Sequence, residues 1–304
     1  MKSQLHAYDK NKVALLKSIL PILIIIHHLA NEGFQGIQKI GALGDIVMYL
    51  FFAMSGYGLV TSYLKDKTYI KKFLGRSLVK LFVPYFIAMI LFVTYRYVND
   101  IDNVELLRTN GLYSFVPTSW YIYVLSYLYI FYYVVFKYIK SSNIIKVTLV
   151  CMLVFAYYFI APKIGIESWR YNRCPAFCIG MFFALFDNKI KESFVVWQVL
   201  IAILILVFLY PFRWTFQCLP PLYYSTIFFL VMYIIGNVKQ NKIVNFISSI
   251  SLEMFIIQYI PIYIITNDLH ITSTLIAVTI VLLMDIAIAY YMNKFDKHIT
   301  KKLL

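Results

Sequence analysis

Leu15-Leu16-Lys17-Ser18-Ile19-Leu20-Pro21-Ile22-Leu23-Ile24-Ile25-Ile26-His27-His28-Leu29-Ala30 is the stretch that decides the fold. It reads as an apolar helix with a cation at its start and a histidine pair near its far end. Lys17 and His28 are eleven residues apart. At about 3.6 residues per turn that is close to three turns, so the two share one helix face. At about 1.5 Å per residue they are separated by roughly 16 Å along the axis. Lys17 then lies at a membrane surface and His28 well inside. An ionisable side chain there is costly and marks a functional site by default.

The rest of the chain repeats the character of that stretch. Of its 304 residues 62% are hydrophobic and only 14% charged, with a mean hydropathy of +0.75. No soluble protein of this size has interior enough for that apolar content. The expected fold is all-α, a polytopic membrane helix bundle of about ten transmembrane helices. They fall near 14–32, 44–63, 79–97, 119–137, 146–161, 174–187, 194–211, 221–237, 246–266 and 272–292. The runs are too long and unbroken for barrel strands, which alternate. One integral-membrane domain over 1–304 is expected, with no appended soluble domain, no cleaved signal peptide and no internal repeat.

The net charge of +14 does not point to nucleic acid, because the basic residues lie between the spans and not in a soluble domain. With the N-terminus in the cytoplasm, 21 of the 28 lysines and arginines fall on the inside and seven outside. That bias predicts an even number of spans with both termini cytoplasmic. The longest outer segment, 97–118, carries Asp100, Asp102, Glu105 and Arg108. Cys151, Cys174, Cys178 and Cys218 lie in or beside apolar runs and read as packing residues; no metal is expected.

Several groups could do chemistry. Of the histidine pair only His28 shares the face of Lys17. An imidazole can take a proton from a hydroxyl near neutral pH, or relay protons in a transporter. Phe51-Phe52-Ala53-Met54-Ser55-Gly56-Tyr57-Gly58 offers a serine and two glycines, equally a small-residue packing face. Arg76 and Lys80 are four apart and project from one face at the start of the third span. They serve either as a phosphate clamp or as topology-setting charge. Trp120 reads as an interfacial belt residue, and Arg173 as a cation that snorkels outward. Glu253 and Asp285 place acids inside the last two spans, where each must face the bundle or a wet cavity.

In this order the motifs resemble the acyltransferase-3 family of integral-membrane acyltransferases, over nearly the whole chain. The family's first-span signature, a basic residue and a histidine with ten residues between, fits Lys17 and His28. Its second-span pattern fits Phe51 to Tyr57. The basic run followed by Pro-Tyr fits Arg76, Lys80, Pro84 and Tyr85. The Trp-opened span fits Trp120, and the Arg-x-Pro-x-Phe-x-x-Gly-Met run fits Arg173 to Met181. Lys80 departs from a bidentate arginine. Gln258 stands where the family often has a late histidine, so no role is carried to it.

The resemblance implies a bacterial inner-membrane enzyme that moves an acyl group, usually acetyl, from cytoplasmic acetyl-CoA to a hydroxyl of a glycan or similar acceptor. In that role His28 is the general base, or itself takes the acyl group. Lys17, Arg76 and Lys80 bind the phosphates of the donor. Ser55, Tyr57, Trp120, Arg173 and Glu253 support the site or the substrate. Membrane lipids are the remaining partner. The rival class is a glycan or lipid-linked-sugar transporter or flippase, with His28, Glu253 and Asp285 as its proton or substrate path.

Overall fold

The computed structural model describes residues 9–39, 43–101, 115–187, 195–213, 215–234, 238–239 and 241–304. Asp102, Glu105 and Arg108 of the expected outer segment lie outside them. Every regular element among the described residues is helical. This is what hydrocarbon imposes, because a backbone with no water to bond must satisfy itself within one segment.

Helix α1 spans Lys10–Asn31 and runs on through Pro21. Asp9 caps its start, accepting from the Lys12 backbone N–H at 2.7 Å. Its end is a paired closure. Gly33, in the left-handed region at φ 90°, donates to the Ala30 carbonyl, and Phe34 donates back to Leu29. Helices α2 (Leu43–Lys65) and α3 (Tyr69–Val98) follow. In the turn between them Asp66 accepts from both the N–H and the hydroxyl of Thr68. Those bonds hold its carboxyl below the usual carboxylate range. Next come α4 (Ser119–Tyr138) and α5 (Asn143–Ile160). Helix α6 (Pro175–Phe186) starts on a proline, and α7 (Val195–Leu209) and α8 (Leu219–Ile234) complete this half. The last part is α9 (Lys242–Ser249), α10 (Ser251–Ile257), α11 (Tyr259–Tyr263), a π turn (Ile264–Asp268) and α12 (Thr274–Leu303).

Six of these helical stretches are long and apolar enough to cross a membrane: α1, α2, α3, α4, Asn143–Ile164 and α12. A seventh is the pair Lys242–Ser249 and Ser251–Asp268, bent by 50° at the break. Where the sixth, seventh and eighth spans are expected, the described helices have 12, 15 and 16 residues. Helix α3 begins ten residues earlier than its expected span, so the basic run from Lys71 to Lys80 is helical.

The chain forms two compact units. The first holds Met1–Val13, Asp45–Leu74 and Tyr127–Gln240. In it α6 packs on α5 and α8, and α7 packs on α8. Helix α2 crosses α6 at two glycines. A Cβ at Gly180 would land on the Ala53 carbonyl, and one at Gly56 on the Phe177 carbonyl. Buried Asp187 accepts from the hydroxyls of Tyr57 and Tyr233. Lys12, also buried, donates to the Met232 carbonyl at 2.6 Å. The second unit holds Ala14–Gly44, Gly75–Ser126 and Asn241–Leu304. In it α12 packs on α10 and α11 through a stripe of Ala277, Val281, Asp285, Ala289 and Met292. Thr118 ties α4 to α10, donating to the Ile256 carbonyl at 3.0 Å.

The glycine crossing gives a test with an internal control. Gly180→Ala and Gly56→Ala put a methyl against backbone, and each should cost about 1–3 kcal/mol. Gly58 has open space around it, so Gly58→Ala should leave the apparent melting midpoint in detergent unchanged while the other two lower it.

Candidate active site

The second unit contains Lys17, His28, Arg76, Lys80, Trp120 and Glu253; the first contains Ser55, Tyr57 and Arg173. Lys17 opens into a pocket of about 430 Å³ formed by α1, α3, the α9–α10 break and α12. Lys80, Lys297 and Lys301 line it with Lys17. Glu253 and Asp296 are its acids, and Ser248, Ser249, Ser251 and Thr300 add hydroxyls. Four lysines against two carboxylates leave a net positive pocket rich in donors. That chemistry suits phosphate groups. Arg76 is exposed one turn before Lys80 on α3 and does not line it.

The break between α9 and α10 puts Glu253 here. Asn293 of α12 donates to the Ser249 carbonyl at 3.0 Å, satisfying an end group of α9, and to the Glu253 carboxylate at 2.5 Å. Glu253 is only 3% exposed. Its side chain is thus fixed at the pocket floor and is not a mobile counter-ion.

Helix α1 carries the site inward. Three turns from Lys17, His28 is half-buried, and its Nδ1 lies 2.8 Å from the hydroxyl of Tyr259. The two rings are 4.6 Å apart. His27 has a different setting. Its Nε2 is 3.3 Å from Asn31 Nδ2, and its ring occupies the space that a Cβ on Gly44 would take. So His28 faces a polar partner on α11, and His27 packs against the start of α2. If Nδ1–H donates to the Tyr259 oxygen, the Nε2 lone pair is left as the base; a second-partner hydrogen bond fixes the tautomer in this way.

The remaining predicted residues stand as follows. Ser55 hydrogen-bonds Tyr129, and Tyr57 is held by Asp187. Trp120 is half-buried at the second position of α4, its ring 6.2 Å from Tyr121. Arg173 donates through Nε and Nη2 to Asp45, and through Nη1 to the Trp169 carbonyl at 2.7 Å. Asp285 is fully buried on α12, and neither carboxylate oxygen meets a hydrogen-bond partner among the described residues. Sequence reasoning missed Tyr259, Lys297 and Lys301. The lysines repeat the four-residue spacing of Arg76 and Lys80, a signal absorbed into the basic tail. Nothing in the sequence marks Tyr259.

A lysine-lined pocket at one end of an apolar helix, and a half-buried, hydrogen-bonded histidine three turns in, lie within a bundle of membrane-length helices. The family model described as an acyltransferase domain, acyltransferase-3, matches residues 11–294, and the chain belongs to that family. It is a membrane acyltransferase. No curated protein and no solved structure matches it.

Tyr259→Phe removes the hydroxyl from His28 Nδ1 and keeps the ring. The acyl-transfer kcat should fall about tenfold or more, with KM for the donor and the melting midpoint unchanged. A change in KM alone would assign Tyr259 to packing.

Proposed function

We propose that the chain moves an acetyl group from cytoplasmic acetyl-CoA to a hydroxyl of a cell-surface or exported glycan. On this reading it sits in a bacterial inner membrane, with ten crossings and both termini in the cytoplasm. The observation that carries it is the placement of the Lys17 pocket and the His28–Tyr259 pair on one unbroken helix, roughly 16 Å apart at about 1.5 Å per residue. The donor's phosphates would sit among Lys17, Lys80, Lys297 and Lys301. Its pantetheine arm spans a distance of that order and would bring the thioester to His28. Nε2 of His28 then takes the proton of the acceptor hydroxyl as its oxygen attacks the thioester carbonyl. The tetrahedral intermediate collapses, the C–S bond breaks, and the imidazolium returns the proton to the departing thiolate. The products are the O-acetyl ester and free CoA.

The rival reading, a transporter for a glycan or lipid-linked sugar, draws its support from Asp285. An acid buried without a partner in a spanning helix is a known mark of ion and substrate paths. Dependence on the donor separates the two. Protein in nanodiscs is given radiolabelled acetyl-CoA and extracted surface glycans. We expect thioester cleavage with label transfer, lost by at least about 100-fold in His28→Ala and kept in His27→Ala. Lys297→Ala with Lys301→Ala should raise KM for acetyl-CoA about tenfold with little change in kcat, as loss of uniform binding does. Label trapped on the protein, absent in His28→Ala, would select the two-step route through acyl-histidine. If wild-type protein neither binds nor cleaves acetyl-CoA, the enzyme assignment to this donor fails and the transporter reading leads.

A further inference from the structure

The second unit holds another pocket, at the other end of the same helices. It has a volume of about 730 Å³, and its polar lining includes Glu32, Gln35, Thr266, His270, Thr272 and Thr274. Glu32 follows His28 by four residues, one helical turn, and its charge acts on Tyr259, the ring whose hydroxyl meets His28. Glu32 thus places one wall of the pocket within electrostatic reach of the His28–Tyr259 pair. Lys17 and Glu32 are fifteen residues apart, roughly 22 Å along α1. The basic pocket and this one lie at opposite ends of the rod.

Its walls are built and not merely left open. The 32–36 loop carries two left-handed glycines, Gly33 at φ 90° and Gly36 at φ 82°. The opposite wall is the π turn Ile264–Asp268 followed by His270 at φ 49°. A left-handed conformation in a residue with a Cβ, next to a π turn, is strain of the kind kept at functional sites. His270 Nδ1 meets the Thr266 carbonyl at 3.1 Å. Thr274 donates to the Gln35 carbonyl at 2.8 Å and ties the two walls together.

Its charge is opposite in sign to the basic pocket. Glu32 is exposed and is the one formally charged side chain of the lining among the described residues. Asp268, which accepts from the Tyr95 hydroxyl at 3.2 Å, adds a second acid nearby. Arg96 and Glu32 both act on Tyr263, with opposite sign. Arg96 is only 6% exposed, sits over the Phe92 ring and lines none of the pocket.

We infer that this vestibule is the acceptor subsite and that Glu32 makes it select a polyhydroxylated acceptor without anionic groups. Hydroxyl, amide and imidazole side chains offer the paired donors and acceptors a sugar ring needs, and 730 Å³ accommodates an oligosaccharide end. A carboxylate in a partly enclosed pocket disfavours uronic, sialic or phosphate groups and admits neutral or amine-bearing ones. The inference rests on the acyl-transfer reading for its chemistry, but binding can be measured without the donor.

The full chain in nanodiscs is titrated, in the absence of acetyl-CoA, with maltotriose, with the amine-bearing chitosan trisaccharide and with trigalacturonate, and binding is followed by saturation-transfer NMR. Wild type should bind the first two and reject trigalacturonate by at least about tenfold. Glu32→Lys should reverse that order, and Glu32→Gln should abolish the discrimination while maltotriose still binds. Short-chain and lipid-linked forms of the better ligand, compared in the same way, distinguish a soluble source from a membrane-bound one. Equal binding of trigalacturonate to wild type, an order unmoved by Glu32→Lys, or no binding of any of the three at millimolar concentration would overturn the inference. A titration of acetyl-CoA alone reads the donor pocket separately, so a failure there leaves this result standing on its own.

Discussion

The second unit depends on α1 being an unbroken rod. In hydrocarbon a kinked or frayed helix leaves backbone groups unpaired at several kcal/mol each, and Pro21 already removes one donor from α1. The two ends compensate by being firmly closed, with Asp9 at the start and the Gly33–Phe34 closure at the finish. Because both ends are fixed, so is the register of everything between. Lys17 meets the pocket of α3 and α12, and His28 meets Tyr259. The distance between cation and imidazole is therefore a property of helical rise and is not left to side-chain flexibility.

A second constraint acts through a helix that is broken on purpose. Between Lys242 and Asp268 the chain bends by 50° and passes through a π turn. Pro261 cannot donate to the Ile257 carbonyl, which loosens the helix at the level of Gln258 and Tyr259. The cost of the break at Ser249 is offset by Asn293, which satisfies the exposed carbonyl and steadies Glu253 with the same amide. A straight span would present one stripe to α12. The broken one sends Glu253 to the basic pocket and Tyr259 to His28.

This explains what the sequence could and could not reveal. Helical spacing is local, so the eleven-residue interval that sets Lys17 and His28 three turns apart on α1 was legible. Family order was legible for the same reason, since each motif sits within one helix. Contacts between distant segments were not. Asp45 and Asp187, which hold Arg173 and Tyr57, drew no notice because neither stands in a motif. Tyr259, one of 27 tyrosines in the chain, carries no mark until a fold brings it to a histidine 231 residues away. Hydropathy placed the break at Pro162 and Gly165 between two expected spans, but it did not extend the third span back over the basic run, where α3 starts ten residues earlier, at Tyr69.

On the proposed reading, charge alone sorts the two substrates. The acyl donor carries several negative charges, and the pocket at Lys17 is net positive. The vestibule at Glu32 carries the opposite sign. Interactions between charges weaken with distance and are screened within about 8–10 Å at ordinary ionic strength. The two ends, roughly 22 Å apart on α1 by helical rise, therefore act independently. An anionic donor is drawn to one end and repelled at the other without any gate having to close. Free CoA keeps its phosphates after transfer, so it leaves by the end it entered. The ester, which has gained no charge, leaves by the other. The uncharged pantetheine arm reaches inward with the thioester and withdraws as the thiol, so no formal charge of the donor has to leave the basic end, and only the neutral acyl unit passes from one substrate to the other.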